Sequence, residues 1–286
     1  LHVKGAGRRV VIFNLTLMLP TVVFNGAYWG QCDVIYTSLC LTALYMALQK
    51  KSARSMILFG MALSFKLQTV FFLPALLPLW LRKDIKLRHL ALIPAAYMAM
   101  MIPAFWGGKS LHHALTVYTA QASTYNFMTV NGPSLYNFLP ASMDRDTLYT
   151  MFSGMAMALG MAMLAIVCLM VCLHREHITR EGTLLTCLLV LGGVPFFLPK
   201  MHERYTFGAD VLALAIAAYN PKRVWLPLLF GLSSYICYTA GLPGDAIFDL
   251  KWATVFQGAA VALTAAALYR SLNEEKAEAA LAEVKA

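Results

Sequence analysis

Charge is what this chain has least of. Only 13% of its 286 residues are Asp, Glu, Lys or Arg, against 59% hydrophobic ones, and the mean hydropathy is +0.63. A water-soluble domain cannot bury that much apolar side chain, so lipid is the expected solvent for much of it. Acidic groups are scarcer still, 14 against 23 basic ones. The six cysteines (32, 40, 168, 172, 187 and 237) lie mostly inside apolar runs, Cys168 and Cys172 on one helical face, and none has zinc-site spacing with a histidine. There is no nucleotide-binding fingerprint, no internal repeat and no basic-aromatic pattern for nucleic acid. No cofactor is implied. A secretory signal pattern is missing too, and the chain opens at Leu1 rather than Met. It reads as a piece whose N-terminal part is absent.

What is present is a series of apolar runs. They predict an all-α, polytopic helical bundle of about ten spans: 10–28, 34–49, 55–65, 68–81, 90–106, 149–173, 183–199, 206–220, 224–240 and 252–269. A bilayer core needs about 20 helical residues. Spans three and four are too short to cross alone, so a tight hairpin is expected, with one kinked helix over 55–81 as the alternative. Loop charge separates the two. With ten spans, one face holds Lys4, Arg8, Arg9, Lys50, Lys51, Arg54, Arg82, Lys83, Lys86, Arg88, Arg175, Arg180, Lys222, Arg223, Arg270, Lys276 and Lys285, which is 17 of the 23 basic residues. The positive-inside rule makes that face cytoplasmic and disfavours the single helix, which would split the basic loops between faces. The expected organisation is a transmembrane unit over 1–270 and a solvated cytoplasmic helical tail over 271–286.

Polar groups beside or within the spans carry the functional signal. The densest is Met201-His202-Glu203-Arg204-Tyr205, between two apolar runs at the non-cytoplasmic end. On the same face, Asn25 to Asp33 join the first two spans and include Trp29, Gln31 and Asp33, while Lys66 and Gln68 mark the hairpin turn. The long loop 107–148 carries Tyr118, Gln121, Tyr125, Asn131, Tyr136, Asn137 and Asp144-Arg145-Asp146. Aromatics with amides suit sugar faces and hydroxyls, though interfacial rings with loop polars are the ordinary alternative. Lys66 either snorkels to the interface or meets a phosphate. Asp33 either caps the following helix or belongs to the site. Asp210, about two turns into the span after the His-Glu-Arg cluster, is most simply a packed polar group bonded to a neighbouring helix. Arg204, with a planar fork of donors, together with Lys66 and His202, can neutralise a phosphate or pyrophosphate.

Trp29-Gly30-Gln31-Cys32-Asp33, Lys66-Leu67-Gln68 and Met201 to Tyr205 resemble the spaced motifs of GT-C superfamily glycosyltransferases. The nearest likeness is to bacterial integral-membrane mannosyltransferase-like proteins related to the second GPI mannosyltransferase, and it covers most of residues 10–220. The resemblance implies transfer of a hexose such as mannose from a polyprenyl-phosphate donor to a lipid, glycan or protein acceptor, with inversion, on the extracytoplasmic face of a bacterial cytoplasmic membrane. It implies that Arg204 and Lys66 bind donor phosphate, that His202 and Glu203 orient phosphate or sugar, that Gln31 and Asp33 line the acceptor side, and that Trp29, Gln68, Tyr118, Gln121, Asn131 and Tyr205 belong to the substrate-binding set. It also implies a catalytic acid in a first extracytoplasmic loop. No residue here matches that acid, so Asp33 is the best one remaining, and the piece alone is expected to be inactive. A secondary transporter or lipid-linked-sugar flippase is the alternative, since such proteins also hold charged groups at depth.

Overall fold

The computed structural model describes residues 5–122, 126–140, 142–242 and 247–285, and within these the side chains of 121–122 and 274–285 are left aside. The chain is almost wholly helical. In order it forms α1 (Ala6–Met18), α2 (Pro20–Val22), α3 (Asp33–Leu48), α4 (Ser52–Phe65), α5 (Leu76–Leu81), α6 (Leu92–Met100), α7 (Ile102–Trp106), α8 (Leu111–Ala122), β1 (Thr129–Val130), α9 (Arg145–Leu173), α10 (Arg180–Phe197), β2 (Met201–His202), α11 (Phe207–Tyr219), α12 (Trp225–Gly241) and α13 (Leu250–Lys285). A π-helical turn, Val23–Tyr28, continues α2, and a 3-10 helix, Leu67–Ala75, leads into α5.

Helix α10 is the hub. Every residue from Gly182 to Phe196 is buried, and α9, α11, α13 and the 3-10 helix pack around it. Small residues permit the close crossings: a Cβ on Gly192 would lie 2.6 Å from the Phe230 ring, and one on Gly60 of α4 would lie 2.3 Å from the Ile93 carbonyl oxygen. The outer face is apolar as well. On α9, Met151, Met155, Met161, Ile166, Leu169 and Leu173 are all exposed, a surface that lipid tolerates and water does not. Among the described residues, five helical segments are long and apolar enough to cross a membrane, and the bent pair Ala6–Met18 with Pro20–Tyr28 makes a sixth. Four more, Asp33–Leu48, Ser52–Phe65, Leu67–Leu81 and Phe207–Tyr219, are apolar but shorter. These features are compatible with a membrane protein.

Two polar caps close the bundle. At one end the Lys86 amide and the His89 ring both bond Ser52 Oγ at 2.9 Å, and Arg82 pairs with Asp84 at 2.8 Å. Thr179 meets Ser271 at 3.2 Å, Glu181 takes Arg223 at 2.8 Å, and Arg8 donates to the Ala218 carbonyl at 3.0 Å. Helices α3 and α5 end in this cap on Lys50 and Lys83, held at φ 60° and 61°. The left-handed residue that closes a helix is usually glycine; lysine here trades backbone ease for a cation at the cap.

Several sequence expectations change in detail. The segments 55–65 and 68–81 are indeed separate helices, broken at Lys66, whose φ of −157° and ψ of 136° are extended. The stretch 107–148 is not an open loop: it contains α8, β1, a 3-10 turn over Leu135–Phe138 and the start of α9. Asp144 caps α9 by accepting from the Thr147 amide at 3.1 Å, which accounts for the Asp-Arg-Asp run. Asp210 lies in the first turn of α11, not two turns in, because that helix starts only at Phe207. Helix α13 runs without a break across residue 270 into the tail.

Candidate functional site

The cap at the other end holds the candidate site. After the π-helical turn the chain reverses at Gly30, whose φ of 68° glycine adopts without strain. Gln31 then returns its amide to the Asn25 carbonyl at 2.9 Å, which lifts Trp29 and Gln31 to the surface of the cap and starts α3 at Asp33. Asp33 is fully buried. It opens the helix without capping it by its side chain. One carboxylate oxygen takes a close ion pair from Lys66 and the other accepts from Asn25 Nδ2 at 2.9 Å. The break at Lys66 delivers its ammonium here, 5.7 Å from the Tyr36 ring centroid.

Arg204 arrives from the α10–α11 connection. That connection is fixed by parallel pairing of β1 with β2, Thr129 opposite Met201 and Val130 opposite His202. Arg204 donates from one terminal nitrogen to Gln31 Oε1 at 3.1 Å, and its guanidinium carbon lies 5.2 Å from the Trp29 ring centroid. Its Nε is buried with no partner. This guanidinium is thus held on two sides, with one donor unused.

Around it, Glu203 is buried against Gly241, where a Cβ would come within 3.2 Å of its Cγ and 3.4 Å of Asn131 Nδ2. Burial raises the Glu203 carboxyl above its ordinary range, with Arg204 and Lys66 acting in the opposite sense. Burial first, then the charges of Arg204 and Lys66, lowers His202 to about 4. The imidazole is therefore neutral at pH 7 and offers a hydrogen bond rather than the charge that the sequence suggests. Its ring packs 5.1 Å from that of Tyr205. Both border a cavity of about 420 Å³, shared with Gln68, Phe71, Tyr149, Met157, Leu198 and Lys200. Neither Lys66 nor Arg204 lines it.

The structure thus brings together Trp29, Gln31, Asp33, Lys66, Gln68 and His202 to Tyr205, with Asn131 beside Glu203. Tyr118 is elsewhere: its hydroxyl donates to the Leu63 carbonyl and its ring packs on Tyr97. The Gln121 side chain and Tyr125 lie outside the described residues. Three contributors escaped sequence reasoning. Asn25 and Tyr238, joined at 3.1 Å, back the Asp33 carboxylate; Tyr238 comes from a span over 200 residues away and carries no local signal. Lys200, at φ 64°, sets its ammonium 5.0 Å from the Tyr149 ring at the cavity; its place directly before Met201 was the available clue. Among the described residues no group of three or more His, Cys, Asp or Glu could hold a metal ion.

The lowered His202 value has a consequence for acid stability. Between about pH 6.5 and 4 the unfolded chain binds a proton at this position and the folded chain does not, so stability falls as pH drops through that window. Glu203, shifted the other way, is common to both proteins when wild type is compared with His202→Gln. The difference in melting temperature between the two should be constant above pH 7 and should move in the variant's favour towards pH 4. A pH-independent difference would mean that His202 titrates normally. Comparison with known proteins adds nothing to this geometry, for no family model, curated protein or solved structure matches the chain.

Proposed function

We propose that this protein is a membrane glycosyltransferase of the GT-C type, moving a hexose such as mannose from a polyprenyl-phosphate carrier to a lipid, glycan or protein acceptor. The observation that carries the reading is Arg204: a guanidinium fixed by Gln31 and Trp29, beside the Lys66 ammonium, with a buried Nε lacking a partner. An anionic oxygen is the complement such a group requires. In transfer, the acceptor hydroxyl oxygen attacks the anomeric carbon and its proton is released to solvent, the bond from that carbon to the phosphate oxygen breaks, and charge develops on the leaving phosphate. Arg204 and Lys66 stabilise that charge, and neutral His202 adds a hydrogen bond. We assign Asp33 to holding Lys66, since both its oxygens are engaged. The cavity beside His202 and Tyr205 has apolar walls from Phe71, Met157 and Leu198, which suits a substrate part isoprenoid and part sugar phosphate.

The topology belongs to the same proposal. The cap formed by residues 50–54, 82–89, 174–181 and 220–223 holds most of the basic loops and faces the cytoplasm, and the Arg204 cap faces outward. Ten spans then alternate between the caps, the four short helices shielded by their neighbours. Ser52 is buried and bonded to His89, so the inside probe is Lys51, which is exposed, and the outside probe is Ser110. In a background with the exposed Cys32 and Cys172 replaced by serine, Ser110→Cys should react with an impermeant thiol reagent added to intact cells. Lys51→Cys should react only after lysis. The reverse labelling would overturn the orientation.

The activity itself is tested in detergent. The full-length protein, given polyprenyl-phosphate mannose with a panel of acceptors, should yield glycosylated acceptor and free polyprenyl phosphate without sealed vesicles or any gradient. Substrate movement seen only in sealed vesicles, with no product in detergent, would put a transporter in place of the enzyme.

A further inference from the structure

Asp210 of α11 is a buried acid with no ion pair among the described residues. It is 1% exposed. The four ion pairs found there involve Asp33, Asp84, Glu176 and Glu181. The hydroxyls of Thr21 and Ser234 face its carboxylate, yet neither oxygen has a hydrogen bond of normal length and angle. Ser234 Oγ sits 3.0 Å from Thr206 Oγ1, and Thr21 Oγ1 sits 3.2 Å from the Tyr238 hydroxyl. Tyr238 leads on to Asn25, whose own Oδ1 is a second buried acceptor without a partner. The neighbourhood is rich in unpaired acceptors. An unpaired carboxylate in such surroundings costs several kcal/mol, and a charged group at membrane depth is a functional-site hypothesis by default.

The backbone beside it is broken. Helices α1 and α2 meet at a bend of 55° at Leu19–Pro20, and Val23–Tyr28 is π-helical. Proline removes an amide there, and the Val22 amide turns back to Leu19 at 2.9 Å, so the Met18 carbonyl loses its usual donor. Discontinuous helices whose ends face a buried carboxylate are a recurrent way to bind a small cation within a membrane.

We propose that Asp210, Thr21 and Ser234 form a site for one dehydrated sodium ion. One carboxylate balances one positive charge, and hydroxyl and carbonyl oxygens are the ligands a hard cation takes. A divalent ion would leave the site with surplus charge. A proton would satisfy only one of the two unpaired carboxylate oxygens. The site adjoins the Arg204 cap through Tyr238 and Asn25 but uses none of the anion-site cations, so its presence or absence leaves the transferase reading as it stands.

The test is thermal unfolding of the purified full-length protein in detergent, followed by tryptophan fluorescence, at constant ionic strength in sodium, potassium or choline chloride. Sodium should raise the melting temperature saturably, potassium should do so less, and choline not at all. Binding to the folded state alone produces that dependence. Asp210→Asn, an isosteric neutral change, should abolish the sodium increment. Should that variant not fold, Ser234→Ala, which keeps the carboxylate, should raise the half-saturating sodium concentration about tenfold, the equivalent of about 1.4 kcal/mol. Equal melting in sodium and choline, or a sodium increment unchanged in Asp210→Asn or Ser234→Ala, would overturn the proposal. A melting temperature that depends on pH but not on sodium would overturn it too, in favour of a proton on Asp210.

Discussion

Arg204→Lys is expected to lower sugar transfer in detergent by about a hundredfold, with expression and membrane insertion unchanged. The substitution keeps the positive charge, so electrostatic attraction alone would predict little change. What it removes is the planar arrangement: one nitrogen on Gln31, the face on Trp29 and a buried Nε without a partner. Lysine has a single flexible ammonium and cannot occupy three directions at once. The loss should fall on kcat/KM, because stabilisation of the leaving phosphate grows as the transition state forms. A variant as active as wild type would remove Arg204 from the site.

Asp33→Asn should cost about 3–5 kcal/mol of stability, the usual result of leaving one member of a buried ion pair alone. Asp33 is fully buried and Lys66 only 13% exposed, so water cannot take over the lost role. Lys66→Met alone should be similarly damaging, by stranding the carboxylate. The double variant Asp33→Asn with Lys66→Met strands neither charge, and its melting temperature should recover most of the loss. Such non-additivity is the signature of direct coupling. Additive losses, or an Asp33→Asn protein that melts like wild type, would show that the pair does not hold the turn between α4 and the 3-10 helix. The double variant should stay folded yet transfer poorly, since it lacks the second cation of the proposed anion site.

Much of this was legible in the sequence. Helical runs follow from apolar composition, and the break at Lys66 follows from the two short runs around it. The convergence of the WGQCD, KLQ and HERY segments follows from their alternation with spans, and the contacts of Arg204 with Gln31 and of Lys66 with Asp33 bear that out. What could not be read is which side of each helix faces its neighbours. In lipid both sides are apolar, so periodicity carries little information, and α10 looks like any other run although it is the buried hub. The same blindness hid Tyr238 and Ser234, single polar groups in an apolar helix whose meaning depends on partners far away in the chain. The placement of Tyr118 was hidden likewise: a helix over Leu111–Ala122 turns its hydroxyl onto the Leu63 carbonyl of α4.

The two-residue pairing of β1 with β2 has a mechanical consequence. The outer segment is clasped to the Met201–Tyr205 turn by backbone: Glu203 donates to the Val130 carbonyl at 3.2 Å, and Lys200 donates to Phe127 at 3.1 Å. Gly132 closes the clasp, since a Cβ there would lie 2.9 Å from the Met201 carbonyl oxygen. A loose loop can move by itself, but this segment is tied by its backbone directly to the turn that carries His202 and Arg204. Any displacement of β1 must carry His202 and Arg204 along with it, so a substrate that moves the outer segment would also re-aim the guanidinium.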